Sequence, residues 1–200
     1  MSGKNVMHEI ILPDNVKPAL EWVNNRVLQK VSPKRKHALA QSRFSSALSV
    51  WADAGSYEMV GTEWRFQVQP TGEISRTLVP NIAFLSYDRM PVEELETTDI
   101  PRMAPDVVVE IRSPDDREED IEEKVRVYLK AGTSVVFLVD TIGRSLLFEI
   151  AMDLELYLML RELLTKLCRD FRWRLRRCSN FRDRVLSRLH LIRLRLTLDR

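Results

Sequence analysis

A glutamate stands inside an apolar stretch, VVVEIRS, where its charge needs a partner. Glu110 follows three valines, and an unpaired carboxylate in such surroundings is costly, so it must be ion-paired or bound to a cation. One explanation is an ion pair with Arg112, two residues further along the chain. The other is a metal ion, which would make this strand part of a chemical site.

A second polar side chain stands at the head of another apolar stretch, TLVPNIAFLSY. Asn81 precedes Ile82, Phe84 and Leu85, which read as a buried strand. An amide oxygen at such a position can bind a metal or a water molecule, because oxygen is the donor that hard cations prefer. Asn81 is therefore a second candidate for a site, and its role depends on the residues that it meets.

Three further ionisable side chains could join a site, although each also has an ordinary structural explanation. Lys124 lies three residues after Ile121 and four before Tyr128, at the margin of a predicted helix face. On spacing alone it is equally well explained as a solvated lysine. Glu21 and His37 flank the first predicted helix and, taken singly, fit structural or surface positions.

Local patterns predict the first elements that would position these side chains. The stretch ALEWVNNRVLQKVS alternates around Asn24-Asn25, which predicts a hairpin because asparagine tolerates positive φ. Ser32-Pro33 favours a helix start, and Gly55 favours its end. The apolar spacing between them predicts a long amphipathic helix. TEWRFQV alternates as a half-buried strand.

The following stretch predicts a strand, a helix and another strand. Consecutive valines in APDVVVEIRS indicate a central strand that is buried on both faces. Asp115 or Asp116 is expected to cap the next helix, REEDIEEKVRVYLKAG, which ends at Gly132. SVVFLVD is a further strand. These elements predict an α/β or α+β fold, in which helices flank a mixed sheet.

Composition narrows the class of protein. A chain of 200 residues with 44% hydrophobic and 30% charged residues fits one soluble domain, with or without an appendage. No apolar run approaches the roughly 18 residues of a membrane span, and no secretory signal is recognisable. Cys168 and Cys178 make neither a disulfide framework nor a CxxC metal motif. We therefore expect a cytoplasmic protein without a membrane partner.

The charge is divided unevenly along the chain. Residues 1–150 contain 18 Lys and Arg against 23 Asp and Glu, whereas residues 151–200 contain 13 against 6. The last fifty residues also contain 12 Arg and 14 Leu but neither Gly nor Pro. This predicts a domain over 1–150 and an atypical tail that does not pack with it. A basic amphipathic helix and a shifted reading frame both explain such a tail, and the frameshift is favoured.

Most of the predicted domain resembles the Uma2 family (DUF820) of PD-(D/E)XK-type nucleases. The resemblance runs from about residue 19 to 140 and rests on EWVNNRVLQKVSPKRKHALAQ, VPNIAF, APDVVVEIRSPDDREEDIEEKVRVYLKAG and VVFLVD. The third block is the most specific, because a strand ending in E-x-x-S-P precedes a helix whose lysine lies fourteen residues after the glutamate. It implies a restriction-endonuclease-like mixed sheet flanked by helices.

The resemblance also implies roles for individual residues. In such nucleases an aspartate and a glutamate hold a divalent cation, and a lysine orients or activates the attacking water. Glu110 would then be a metal ligand, the Ile111 carbonyl a second one, and Lys124 the lysine. Arg112 lies where the wider superfamily keeps its lysine, and would assist as a phosphate clamp. Glu21 and His37, considered above, match positions near the family's site.

The aspartate of the family falls on Asn81, and this is a departure. An amide can coordinate Mg²⁺ or Mn²⁺, but it brings no charge, and one unit charge at about 4 Å is worth roughly 4 kcal/mol at a dielectric near 20. That energy corresponds to about a thousandfold in metal affinity or rate. On this argument alone, Asn81→Asp is expected to raise cleavage.

Three functions remain open from the sequence. The first is a Mg²⁺-dependent DNA endonuclease of restriction type, which Glu110 and Lys124 favour. The second is a nuclease fold that binds DNA without cutting it, and the third is a fragment of a mobile-element-like gene; Asn81 and the tail favour these two. The acidic residues 1–150 argue against tight non-specific DNA binding, although SPKRKH is a reasonable phosphate contact. A homodimer is left open.

Overall fold

The computed structural model describes residues 9–30, 33–55, 58–141, 145–151, 173–176 and 191–198. The strands are β1 (Leu20–Val23), β2 (Arg26–Gln29), β3 (Glu58–Thr62), β4 (Phe66–Val68), β5 (Arg76–Leu78), β6 (Ile82–Ser86), β7 (Val107–Arg112), β8 (Val135–Asp140), β9 (Ser145–Ala151), β10 (Trp173–Arg176) and β11 (Leu191–Leu198). The helices are α1 (Arg35–Gly55), α2 (Val92–Leu95) and α3 (Glu118–Lys130).

A seven-stranded sheet forms the centre, in the order β10-β11-β9-β8-β7-β6-β3. Strands β7 and β8 are parallel, and the other neighbouring pairs are antiparallel. Strands β1 and β2 form a separate hairpin, and β4 pairs with β5. The predicted mixed sheet with flanking helices is therefore confirmed. Within the described ranges, no helix combines the length and apolar character that crossing a bilayer requires.

The two faces of the sheet are covered by different helices. Val107, Val109 and Ile111 of β7 belong to the core cluster that α1 covers, through residues such as Phe44 and Leu48. Val108 belongs to the opposite cluster, which α3 covers. Because side chains alternate along a strand, Glu110 falls on the α3 side. The Glu110 side chain of β7 therefore lies on the side of α3, the helix that carries Lys124.

The predicted hairpin is confirmed, and a hydrogen bond and a salt bridge connect it to α3. Asn24 and Asn25 form its turn with φ of 50° and 58°. Asn24 Nδ2 donates to Asp120 Oδ1 at 2.8 Å, and Arg26 forms a salt bridge with Asp120 Oδ2 at 2.5 Å. These contacts hold β1, which carries Glu21, against the first turn of α3.

Helix starts differ from the prediction. The first helix begins at Arg35, and the predicted cap residue Ser32 lies outside the described residues. Neither Asp115 nor Asp116 caps α3, which begins at Glu118 without a side-chain cap. Asp116 Oδ2 instead accepts a hydrogen bond from Ser113 N at 2.6 Å, because the loop turns back on itself before the helix.

Two predicted strands are each divided into two. In TEWRFQV, β3 ends at Thr62 and β4 begins at Phe66, because Glu63 between them adopts a positive φ of 51° that ends the extended conformation. In TLVPNIAFLSY, β5 ends at Leu78 and β6 begins at Ile82. The second break leaves residue 81 just outside the strand.

The tail prediction requires a correction at two places. Strand β11 pairs with β9 from Leu191↔Ala151 to Thr197↔Ser145, and β10 pairs with β11. These two strands extend the central sheet, so the expectation that the tail does not pack with the domain is wrong for them. The reason is that β9 offers an open edge to which another strand can hydrogen-bond. Residues 152–172 and 177–190 lie outside the described residues, and the boundary at 150 stays a prediction.

An ionic cluster on the α3 surface holds this helix to the loop before β5. Glu73 Oε1 contacts Arg126 at 2.6 Å and Lys130 at 2.8 Å, and its Oε2 contacts Arg76 at 2.6 Å. Hydrogen bonds from Arg126, together with those from Lys130, lower the pKa of Glu73 from 4.5 to about 2, against the opposing effect of burial. The ionised carboxylate is thus the form that stabilises this contact.

This shift predicts an acid-dependent loss of stability. A carboxylate whose pKa is lower in the folded state contributes its stability above its ordinary pKa of 4.5, and the contribution disappears as the pH falls toward about 2. We expect Glu73→Gln to flatten the decline in the free energy of unfolding between these pH values, measured by urea denaturation. Glu122→Gln, on the exposed side of α3, should keep the native slope. Equal slopes for the native chain and Glu73→Gln would contradict the prediction.

Candidate active site

One ammonium group and two carboxylates form a buried cluster between β1, β7 and α3. Lys124 Nζ lies 2.6 Å from Glu110 Oε1 and 3.0 Å from Glu21 Oε1. Lys124 is 6% exposed, Glu110 3% and Glu21 5%. The alternative explanations of Glu110 and Lys124, a pair with Arg112 and a solvated lysine, are therefore wrong.

The helix spacing explains how a lysine reaches this position. Ile121, Lys124, Val125 and Tyr128 are all buried on one face of α3, at the three- and four-residue spacing that places side chains on the same side. Tyr128 OH donates to Glu110 Oε1 at 3.5 Å, at the outer limit for a hydrogen bond. Lys124 is thus part of the buried face and not at its margin.

Glu21 is held from two sides. Val79 N donates to Glu21 Oε1 at 2.8 Å, and Lys124 Nζ donates to Oε2 at 3.1 Å. Because these donors come from the segment after β5 and from α3, Glu21 connects the hairpin to both. Glu21 thus lies in contact with Lys124, and its role at a site stays a prediction.

The cluster shifts the pKa values of its members in different directions. Burial raises the pKa of Glu110, and the charge of Glu21 adds to this, while Lys124 opposes it. For Glu21, burial acts in the same direction, but Lys124, Lys30 and the Val79 amide outweigh it and lower the pKa. The two carboxylates share one nearby ammonium group, and the negative charge of Glu110 is less stabilised by its surroundings than that of Glu21.

Lys124 itself remains an ammonium group. Burial acts to lower its pKa, but the charges of Glu110 and Glu21 outweigh burial, and the pKa of Lys124 is raised. The pKa of Tyr128 is also raised, first by burial and then by the same two carboxylates. At neutral pH the site therefore contains a protonated lysine and a neutral tyrosine.

Asn81 lies next to this cluster because of the strand register. Ile82 pairs with Val109 across the antiparallel β6–β7 ladder, so the next position outward brings Asn81 opposite Glu110. Asn81 Oδ1 accepts a hydrogen bond from Ile111 N at 2.8 Å. The prediction that Asn81, Glu110 and Lys124 converge is confirmed, since all three line one cleft.

Three residues that the sequence analysis missed surround Asn81. Glu63 Oε1 accepts from Asn81 Nδ2 at 2.9 Å and from Gln41 Nε2 at 3.1 Å, and its Oε2 contacts Lys30 Nζ at 2.8 Å. Lys30 Nζ also donates to the Val79 carbonyl at 2.7 Å. Alternation along β2 could have indicated Lys30, because it falls on the same side as the half-buried Leu28. No sequence signal distinguished Glu63.

The two remaining candidates have different outcomes. His37 lines the cleft, and burial followed by the charge of Lys30 lowers its pKa, while an interaction with the Ile111 backbone opposes this. Its Nδ1 is buried and has no hydrogen-bond partner among the described residues. Arg112 is not among the cleft residues and forms a salt bridge with Glu118. The structure does not bring Arg112 to the site.

The cleft has a volume of about 800 Å³, and acidic side chains outnumber basic ones in its lining. Eight Asp and Glu side chains line it, against six Lys and Arg. Four of these acids are paired with Lys or Arg of the same lining, so the excess of negative charge is small. An excess of this sign favours a cation.

Asn81, Glu110 and Ile111 offer oxygen atoms, which are the type of ligand atom that a hard divalent cation binds. Mg²⁺ binds oxygen ligands, commonly one or two carboxylates, and keeps several water molecules. Oε1 of Glu110 receives the Lys124 and Tyr128 contacts, which leaves its second oxygen for another ligand. No group of three or more His, Cys, Asp or Glu side chains in the described part of the chain could hold a metal. A cation here would thus depend on amide and carbonyl oxygens as well.

A mixed sheet between two helices, with a buried glutamate–lysine pair at its central strand, defines a restriction-endonuclease-like fold. A model of the Uma2 family, described as "Putative restriction endonuclease", matches residues 8–148. The chain belongs to the Uma2 family. No curated protein matches the chain significantly.

A solved structure supports the same assignment. It is described as "a putative nuclease belonging to DUF820" from Anabaena variabilis, and it is 28% identical to this chain. The match covers 68% of this chain and 74% of that one, with a TM-score of 0.60. The match agrees with the family assignment, because that structure is described as belonging to DUF820.

The buried cluster predicts a large structural role for Lys124. Replacing it by methionine leaves the carboxylates of Glu21 and Glu110 buried without their ammonium partner, which typically costs about 3–5 kcal/mol. We expect a loss of this size in the free energy of unfolding of Lys124→Met, measured by urea denaturation. Lys130→Met is the control, because an exposed pair contributes only about 0–1 kcal/mol. Equal losses in the two variants would show that Lys124 does not neutralise the cluster.

Proposed function

We propose that this chain is a metal-dependent DNA endonuclease that hydrolyses phosphodiester bonds with Mg²⁺ or Mn²⁺. The observation that carries the proposal is the buried Glu110–Lys124 pair, which lies beside Asn81 and the Ile111 backbone in one cleft. Family membership and the similarity to a solved nuclease support the reaction class. DNA is the proposed substrate, and the protein is proposed to act in the cytoplasm.

The cation would be held by Glu110, the Asn81 amide oxygen and the Ile111 carbonyl. When bound, a divalent cation acidifies a water molecule and neutralises charge that develops on the phosphate. Glu110 gains from such a ligand, because burial and the neighbouring Glu21 make its negative charge costly. Asn81 Oδ1 accepts one hydrogen bond, from the Ile111 amide, and keeps a second lone pair for such a ligand.

Lys124 would orient the attacking water or a phosphate oxygen and would not remove a proton. A general base must be unprotonated, and the carboxylates of Glu110 and Glu21 keep Lys124 as an ammonium group. An ammonium group donates hydrogen bonds only. The resemblance left two roles open for Lys124, orienting the attacking water or activating it. The positive charge of Lys124 supports orientation.

DNA binding in the cleft is expected to depend on the cation. The small excess of negative charge in the lining disfavours a phosphate backbone, and a bound cation would offset it. Basic side chains at the start of α1 offer a further contact, because Lys34, Arg35 and Lys36 are exposed beside the cleft residues Pro33 and His37. Their positive charge, together with the helix N-terminus, suits a phosphate.

A nuclease fold that no longer cuts is the second candidate, and one observation favours it. Lys124 is fully engaged by Glu21 and Glu110, and both polar atoms of Asn81 are engaged by protein neighbours. These ion pairs and hydrogen bonds satisfy the polar groups of the cleft without any ligand, and they stabilise the fold. An assay that separates cleavage from binding distinguishes the two candidates.

The test is cleavage of supercoiled plasmid by purified chain in Mg²⁺ and in Mn²⁺. We expect slow nicking that Glu110→Gln reduces by about a thousandfold, because a unit charge at the cation is removed. The control is Glu122→Gln, an exposed acid on the outer side of α3, which should cleave at the native rate. Metal-dependent plasmid binding without cleavage would support the second candidate, and nicking that survives in Glu110→Gln would refute the proposed site.

A further inference from the structure

Glu63 is an acidic residue whose side chain contacts Asn81, the residue at the position of the family's aspartate. Its Oε1 lies 2.9 Å from Asn81 Nδ2, and Asn81 Oδ1 in turn lies 2.8 Å from Ile111 N. A single amide group therefore connects the Glu63 carboxylate to the backbone of β7. Glu63 lines the same cleft as Glu110.

The backbone also directs Glu63 toward Asn81. Glu63 has a φ of 51°, a left-handed conformation that is unfavourable for a non-glycine residue. Glu63 N donates to the Asn81 carbonyl at 3.1 Å, so the main chain and the side chain of Glu63 both contact residue 81. Strain of this kind persists only where the surroundings enforce it, and it is concentrated at functional sites.

The Glu63 carboxylate still has capacity for a ligand. A carboxylate offers about four lone-pair positions. Asn81 and Gln41 use two on Oε1, and Lys30 uses one on Oε2. The side chain is 42% exposed, so a cation in the cleft has access to the remaining position.

The amide at position 81 is matched to the acid at position 63. An amide donates a hydrogen bond through its nitrogen, whereas a carboxylate only accepts. An aspartate at 81 would place two carboxylate oxygens where Asn81 Nδ2 and Glu63 Oε1 now lie 2.9 Å apart. Two carboxylates at that distance repel each other unless a proton or a cation lies between them.

We propose that Glu63 supplies the second carboxylate of the cation site, in place of the acid that position 81 lacks, and that Asn81 positions it. The inference rests on the proposed function, because it assigns a residue to the same cation site. It changes the expectation for Asn81→Asp, which adds an acid beside an existing one. The variant that preserves the arrangement is instead the exchange Asn81→Asp/Glu63→Gln, in which acid and amide trade places.

The test is Mn²⁺ binding, followed by the electron paramagnetic resonance signal of free Mn²⁺, and the change in Tm that Mn²⁺ causes. We expect Glu63→Gln to weaken Mn²⁺ binding about tenfold or more, less than for a buried charge because Glu63 is partly solvated. The exchange variant should bind Mn²⁺ nearly as well as the native chain. Asn81→Asp alone should lower Tm without metal and show a larger Mn²⁺-induced rise in Tm than the native chain.

The controls separate this inference from the proposed function. Glu110→Gln defines binding at the proposed site, and Glu9→Gln, an acid paired with Arg102 outside the cleft lining, should bind Mn²⁺ as the native chain does. Absence of Glu110-dependent binding in the native chain would refute the proposed function and this inference together. Glu110-dependent binding that is unchanged in Glu63→Gln would refute the inference alone.

A folding defect in Glu63→Gln does not prevent the test. If that variant fails to fold, the comparison of the exchange variant Asn81→Asp/Glu63→Gln with the native chain decides. Mn²⁺ binding that is nearly equal in the two proteins supports Glu63 as the second carboxylate, because one acid replaces the other. Binding that is about a hundredfold or more tighter in the exchange variant would refute it, because the acid at position 81 would then add a ligand charge and the loss of Glu63 would cost none.

Discussion

Three parts of the fold meet at one ammonium group that serves two buried carboxylates. Glu21 comes from the hairpin, Glu110 from the central strand and Lys124 from the helix that follows it. Each carboxylate would be costly alone in this environment, so the elements must assemble together to bring the charges into contact. The cluster keeps an excess of one negative charge, and the proposed cation site depends on this charge.

The sequence predicted the elements that carry strong periodicity. The hairpin, the central strand and both long helices follow from local spacing, and Glu110 was recognisable because a charge is rare within a valine-rich strand. The two broken strands were not predicted, because the interruption at Glu63 depends on a positive φ that no local residue preference indicates. The predicted cap of α3 was wrong for a similar reason, because Asp116 accepts a hydrogen bond from the Ser113 amide in the preceding loop.

The site was predicted more completely in its buried residues than in its polar surroundings. Asn81 and Glu110 stood out because polar groups in apolar stretches need a reason, whereas Lys124 was assigned through the family resemblance. Glu63 lies in ordinary polar sequence, and the antiparallel register of β3 and β6 brings it opposite Asn81. Lys30 reaches the site through its contact with Glu63. Long-range pairing of this kind is decided by the tertiary fold, so one chain read alone does not reveal it.

The hydrogen bond from Asn81 to Glu63 links two positions that are eighteen residues apart in the sequence. Its direction requires a donor at one position and an acceptor at the other, so neither residue can change its charge independently. Evolution toward an acid at position 81 would have to pass through a like-charged intermediate or through one with no acid at either place. The pair is thus an epistatic unit, and a lineage that carries it is expected to exchange both residues or neither.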